Sequence, residues 1–172
     1  GSIASYQWNF GNSNSSISAN PVYTYPAAGM YLVGLTATSS AGCVASASAA
    51  DTIFPLPSVE FNATAGCLGT ATVFQAIVSV PFGGSVDSLL WFHGNGTTDS
   101  TGSHSYIYPA AGVYNVNFVV TTNRNCKDSV EHSVVITSPV NVGFIADSVC
   151  LGEYITFINT SSTSLPTTIN YN

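Results

Sequence analysis

The chain has 172 residues and a formal net charge of −6; 6% of its residues are charged and 45% are hydrophobic. Lys and Arg number two in all, so the chain cannot neutralise a phosphate backbone, which sets nucleic acid and anionic membrane aside as partners. The apolar share suits a packed core and not a disordered chain, and no apolar run reaches the length of a membrane span.

In chain order, the first landmark is Trp8 in "YQWNFGN", followed by "YPAAG" at 25–29. An alternating run begins two residues later and places Tyr31, Val33, Leu35 and Ala37 on one face. Strands are next expected at 59–64, 72–80, 88–93 and 104–108, separated by clusters of Gly, Asn, Ser and Pro. "YPAAG" then recurs at 108–112, ahead of a second alternating run in which Tyr114, Val116, Phe118 and Val120 share a face. A last strand is expected at 126–136. A period of two, carried by β-branched and aromatic residues, marks half-buried strands, and no stretch shows capped helical periodicity.

The recurrence is an internal repeat. A displacement of 83 residues puts Trp8 on Trp91, Tyr31 on Tyr114, Cys43 on Cys126 and Cys67 on Cys150, with no insertion. The organisation that follows is the back of one repeat at 1–54, a complete repeat at 55–138, and the front of a further one at 139–172. Such a chain reads as a window on a longer array. The alternative is that its tail joins the head of another copy in a composite sandwich, with strands donated between chains as in β-augmentation.

Many short strands with turn signals predict an all-β protein of tandem antiparallel Greek-key sandwiches. In such a sandwich the Pro and Gly of "YPAAG" carry the chain from one sheet to the other. Tyr31 and Tyr114, two residues past the Gly, are placed to pack inward and to reach back to a backbone group as a tyrosine corner does. Trp8 and Trp91 are expected in the core between the sheets.

"YQWNFGN" followed by "NPVYTYPAAGMYLVGLTATSSAGC" resembles a PKD repeat, an immunoglobulin-like module of extracellular proteins. The family pattern runs W-D-F-G-D-G, a Pro, H-x-Y, then G-x-Y-x-V. The second copy, "LLWFHGNG" with "HSYIYPAAGVYNVNFVV", matches more loosely. At the hairpin acids of the family we read Asn9, Asn12, His93 and Asn95, so the resemblance implies no acid-dependent cation site and no cofactor. An early "C-x-G" and a late "G-C" resemble PKD and related repeats in surface proteins of Bacteroidota, which implies an extracellular or cell-surface setting.

The nearest spacing between cysteines is 24 residues, far from the two to four that a zinc site uses. The extracellular character favours disulfides instead. Cys67–Cys126 within the complete repeat is the first expectation, with Cys43 and Cys150 paired outside the chain. The first and last turns of a Greek-key sandwich lie at opposite ends, however, and a disulfide needs a Cα separation of ~5.5–6 Å. Bonds between neighbouring domains and a Cys43–Cys67 link therefore stay open.

All five aspartates are followed by Ser or Thr and then an apolar residue or Thr. The pattern resembles the acceptor of general O-glycosylation in Bacteroidota and marks Thr52, Ser88, Ser100, Ser129 and Ser148 as candidate sites. Asp-Ser and Asp-Thr are also ordinary turn formers.

His93, His104 and His132 are the three histidines. The first two invite a catalytic pairing with Asp87 or Asp99, yet the other copy carries Phe10 and Pro21 at their positions, so the repeat does not need imidazole there. No catalytic residue, metal or cofactor is expected, and the chain is not expected to be an enzyme. The function expected is a structural repeat of a stalk, filament or large adhesin, with neighbouring copies or repeats end to end and covalent glycans as partners. The alternatives are a carbohydrate- or protein-binding module using Tyr6, Tyr23, Phe82 and Tyr106, or an accessory domain of a secreted hydrolase.

Overall fold

The structure, a computed structural model, describes residues 1–163. The remainder of the expected third repeat, 164–172, lies outside the described residues. The chain divides into two compact units, Gly1–Leu56 with Pro81–Gly84, and Pro57–Val80 with the residues from Ser85 onward.

The first unit carries β1 (Ile3–Asn9), β2 (Ser15–Ser16), β3 (Gly29–Ser39) and β4 (Val44–Ile53) in a single antiparallel sheet of order β2-β1-β3-β4. Trp8 stands opposite Leu35, and Val33 opposite Ala49. This unit is one sheet, and Trp8 on it is half-buried.

The second unit holds a complete sandwich. Its strands are β5 (Ser58–Ala63), β6 (Gly66–Cys67), β7 (Thr72–Ser79), β8 (Val86–Phe92), β9 (Thr98–Asp99), β10 (His104–Tyr106), β11 (Gly112–Thr122) and β12 (Lys127–Thr137). They form a three-stranded sheet β10-β7-β5 and a five-stranded sheet β6-β12-β11-β8-β9. All pairs are antiparallel except β6 with β12. The alternation read from the sequence decides what is buried: Val116, Phe118 and Val120 on β11 are fully enclosed. Trp91 stacks on Phe118 with ring centroids 3.9 Å apart and meets the edge of Phe61 at 5.1 Å. Its indole N–H, the polar handle a buried Trp must satisfy, donates to Thr101 O at 2.9 Å.

Beyond β12 the chain forms β13 (Val140–Asn141), β14 (Phe144–Ala146), β15 (Phe157–Asn159) and β16 (Ser162–Thr163). β13 pairs with β16 and β14 with β15, both antiparallel.

The repeated "YPAAG-x-Y" element is structural in both copies. Tyr31 donates its hydroxyl hydrogen to Ala27 O and Tyr114 donates to Ala110 O, each at 2.9 Å. A second tyrosine per copy ties the crossover to the hairpin: Tyr108 donates to His93 O at 3.2 Å and Tyr25 to Phe10 O at 3.0 Å. The hairpin turns at Gly94 (φ +78°), where an added Cβ would lie 2.6 Å from Asn115 O. Gly11 has the same φ and the same conflict with Leu32 O at 2.7 Å. Two consequences can be checked by urea unfolding. Gly94→Ala should lower stability by ~2 kcal/mol or more, since it combines a left-handed φ with a backbone clash. Tyr114→Phe, which loses one hydrogen bond, should cost only ~1 kcal/mol.

Candidate functional site

Chemistry-bearing side chains converge most densely where the turn after β8 meets β10. His93, buried, stacks on Tyr106 (ring centroids 4.2 Å, 15°) and meets Phe74 at 5.5 Å. Its Nε2 lies 2.9 Å from His104 Nε2, and its Nδ1 lies 3.4 Å from Thr97 Oγ1. His104 stacks in turn on Phe74 at 5.2 Å. Asn95 donates its amide N–H to the Tyr106 hydroxyl at 2.9 Å. Burial, and secondarily the neighbouring His104, holds His93 below its ordinary pKa of 6.5. Neutral imidazoles fit the contact, since one nitrogen can donate while the other accepts.

The structure thus brings His93 and His104 together, as a catalytic pairing would require, but spends both rings on the core. The Nε2 of each is occupied by the other. Asp99 is engaged elsewhere: the side chain and backbone N–H of Thr101 bond its carboxylate and hold it below the usual range. Asp87 is exposed near the start of β8. In the first unit Phe10 stacks on Tyr23 at 4.2 Å and 4°, so His93 fills an aromatic ring's place. That corrects the reading of His93 as standing at a hairpin acid: the 83-residue displacement sets Phe92 opposite Asn9, and His93 opposite Phe10. Asn12 donates to the Tyr23 hydroxyl at 2.9 Å, as Asn95 does to Tyr106. At this acid position an amide therefore pins the hairpin to the following segment.

His132 pairs with Glu60 across β12 and β5 on the surface, and this bond, with the Phe61 N–H, holds the Glu60 carboxyl low. Among the described residues no group of three or more His, Cys, Asp or Glu side chains could hold a metal ion.

The cysteine expectation is corrected by distance. Cys67 on β6 stands opposite Thr137 at the end of β12, whereas Cys126 immediately precedes β12. The 11 residues of β12 separate them, roughly 35 Å at ~3.3 Å per residue, against the ~6 Å a disulfide spans. A Cys67–Cys126 bond within one repeat is excluded by the fold. All four thiols are free, with Cys43, Cys67 and Cys150 exposed. Among the glycosylation candidates, Ser88, Ser100, Ser129 and Ser148 are exposed and Thr52 is half-buried. Asp51 and Asp128 each accept a hydrogen bond from the N–H of the following residue.

The other unusual surface is the face of the first sheet that carries Trp8, Val33 and Leu35. These side chains are half-buried where their counterparts Trp91, Val116 and Phe118 are fully enclosed. Sequence periodicity identified this face as inward without revealing what it packs on.

The PKD domain family model matches residues 1–54 and again 55–138, and the chain belongs to that family. Among curated proteins it is 29% identical over 82 residues to the pre-pro-metalloprotease PrtV of two Vibrio cholerae strains, a stretch that is 47% of this chain and 9% of that protein. The chain therefore matches about a tenth of the length of those relatives. Among solved structures, the PKD1 domain of Vibrio anguillarum Epp is 22% identical (TM-score 0.47), covering 51% of this chain and 100% of that one. The PKD1 domain of the Vibrio cholerae metalloprotease PrtV is 26% identical (TM-score 0.44), covering 48% and 98%.

The buried imidazole gives a testable pH dependence. A histidine whose folded pKa is depressed contributes stability that is complete above its unfolded pKa and is lost as pH falls below it, because the unfolded chain then binds the extra proton. Thermal melts should hold steady above pH ~7 and drop below pH ~6.5, before the carboxylates Glu60 and Asp99 titrate. His93→Phe, which supplies the ring of the other copy, should remove the part of that drop due to this histidine.

Proposed function

We propose that the chain is a non-catalytic structural segment of an extracellular or cell-surface protein, giving reach and cohesion through sandwiches joined end to end. One comparison carries this reading. Between the two copies, what holds the sandwich recurs, while the histidine pair does not. The strand registers, both tyrosine bonds, the left-handed glycine and the Asn–Tyr bond are present twice; His93 and His104 are replaced by Phe10 and Pro21. A ligand or catalytic site would need its polar groups in each working copy.

Short joints support this reading. Four residues, 54–57, link β4 to β5, and two, 138–139, link β12 to β13; both joints contain proline. Exposed apolar side chains on the outer faces, such as Leu32, Val113 and Val135, offer surfaces for lateral cohesion. Cysteines at opposite poles of a sandwich are suited to joining neighbours. O-linked sugar on the Asp-Ser and Asp-Thr motifs, with the Bacteroidota origin they imply, would supply the hydration that a chain with so few charges lacks. The likeness to part of a metalloprotease favours a second reading, an accessory module beside a catalytic domain.

Electron microscopy of native material should show regular end-to-end beads or fibres, and a glycan array should retain none of the protein. Specific retention of one sugar by monomeric protein would overturn the structural reading in favour of an adhesion module. Non-reducing peptide maps of oxidised protein should contain no Cys67–Cys126 link within a chain. Intact mass should add sugar at two or more of Thr52, Ser88, Ser100, Ser129 and Ser148.

A further inference from the structure

Resting on the structural reading above, we infer that the outer face of the five-stranded sheet of the complete repeat pairs side by side with the same face of a second copy, about a twofold axis that sets Lys127 of each copy against Glu131 of the other. The strand registers build this face. Val116, Phe118 and Val120 point into the core, so the residues between them on β11 point outward. Across β12, β11 and β8 the register aligns Glu131, Asn117 and Phe92 in one outward row, and Lys127, Thr121 and Ser88 in another. Between them runs a middle row of Ser129, Val119 and Leu90. None of these side chains is buried, and Leu90 and Phe92 are 38% and 43% exposed.

The fold does not call for this surface. The first unit forms the same rows displaced by 83 residues: Gly34 stands between Asn9 and Ser48, Thr36 between Gln7 and Ser46, and Thr38 between Ser5 and Val44. Its middle row is polar, and the Thr36 and Ser46 hydroxyls bond each other at 2.9 Å. The same sheet is thus built with amides and hydroxyls where Leu90, Phe92 and Val119 present apolar surface to water, a difference that a partner accounts for and folding does not. The charges follow the same division. Val44 and Ser48 take the places of Lys127 and Glu131 in the first unit. Lys127 is the one lysine of the chain, and among the described residues neither it nor Glu131 has an ion-pair partner.

The placement of the two charges selects the arrangement. They stand two residues to either side of Ser129 on β12, ~13 Å apart at ~3.3 Å per residue. A twofold axis laid along the middle row reverses the strands, keeps their order, and exchanges the two outer rows. Lys127 then meets Glu131 twice, the large Phe92 meets the small Ser88, and Leu90 and Val119 each meet their own counterpart, an isologous contact. An axis along either outer row would set Glu131 on Glu131 or Lys127 on Lys127. Facing sheets stand ~10 Å apart, within reach of these two long side chains. Three strands by five residues give an overlap of about 14 by 17 Å per copy, on the order of 500 Å² for the pair, well under the ~1,200 Å² of a stable complex. Single repeats therefore pair weakly, and repeats aligned along an array add such contacts. Ser129 lies on the axis and Ser88 against Phe92, so the faces meet where these two serines carry no sugar.

The test uses the full chain without sugar, in reducing buffer at low salt, by sedimentation equilibrium from micromolar to millimolar concentration. The unmodified chain should pass from monomer to dimer. Lys127→Glu and Glu131→Lys each bring like charges together twice, and each should raise the dimer Kd about tenfold. An equimolar mixture of the two should pair as a heterodimer, and one chain carrying both substitutions should dimerise as the unmodified chain does. Leu90→Gln with Phe92→Asn and Val119→Thr supplies the residues of the first sheet, and should stay monomeric with its thermal unfolding still cooperative. The inference is overturned if the unmodified chain stays monomeric at millimolar concentration, if the single charge reversals leave its Kd unchanged, if their mixture does not pair, or if the triple variant dimerises undiminished. Sugar found on Ser88 or Ser129 of native protein would overturn it too. Loss of this pairing with end-to-end beads intact strikes this inference alone, whereas retention of a sugar by chains that still pair strikes the structural reading alone.

Discussion

The structure depends on a single stack of rings between two sheets. Trp91 lies against Phe118 on one side and is closed over by Phe61 and Phe74 on the other. A single sheet has no interior, and burial of a large aromatic side chain contributes on the order of 2–3 kcal/mol that neither sheet can gain alone. The complete repeat therefore needs both of its sheets to bury that ring.

Around that stack the hydrogen bonds are modest and local, and they share one purpose. The crossover from β10 to β11 is fixed to the preceding hairpin by Tyr108 and fastened on itself by Tyr114. The hairpin is pinned to β10 by Asn95, and at its turn Gly94 has no room for a side chain. This network holds a strand that changes sheets, the place where a Greek key is most easily misaligned. The imidazoles of His93 and His104 extend the aromatic layer into the same region, which is why proximity between them does not make an active site.

The proposed structural role draws on joints and faces in place of pockets. The two joints are a few residues long, each containing proline, and the faces are poor in charge.

The alternation at Tyr114, Val116, Phe118 and Val120, the 83-residue displacement and the tyrosine that reaches back were all legible in the chain, since each depends on neighbours in sequence and on a period of two. Separation in space was not. The fold alone decided that Cys67 and Cys126 stand a full strand apart, that His93 and His104 touch within a ring stack, and that Trp91 is sealed between Phe118, Phe61 and Phe74. Such distances are set by which strands pair and which sheet lies opposite, a long-range outcome that residue order constrains but does not display.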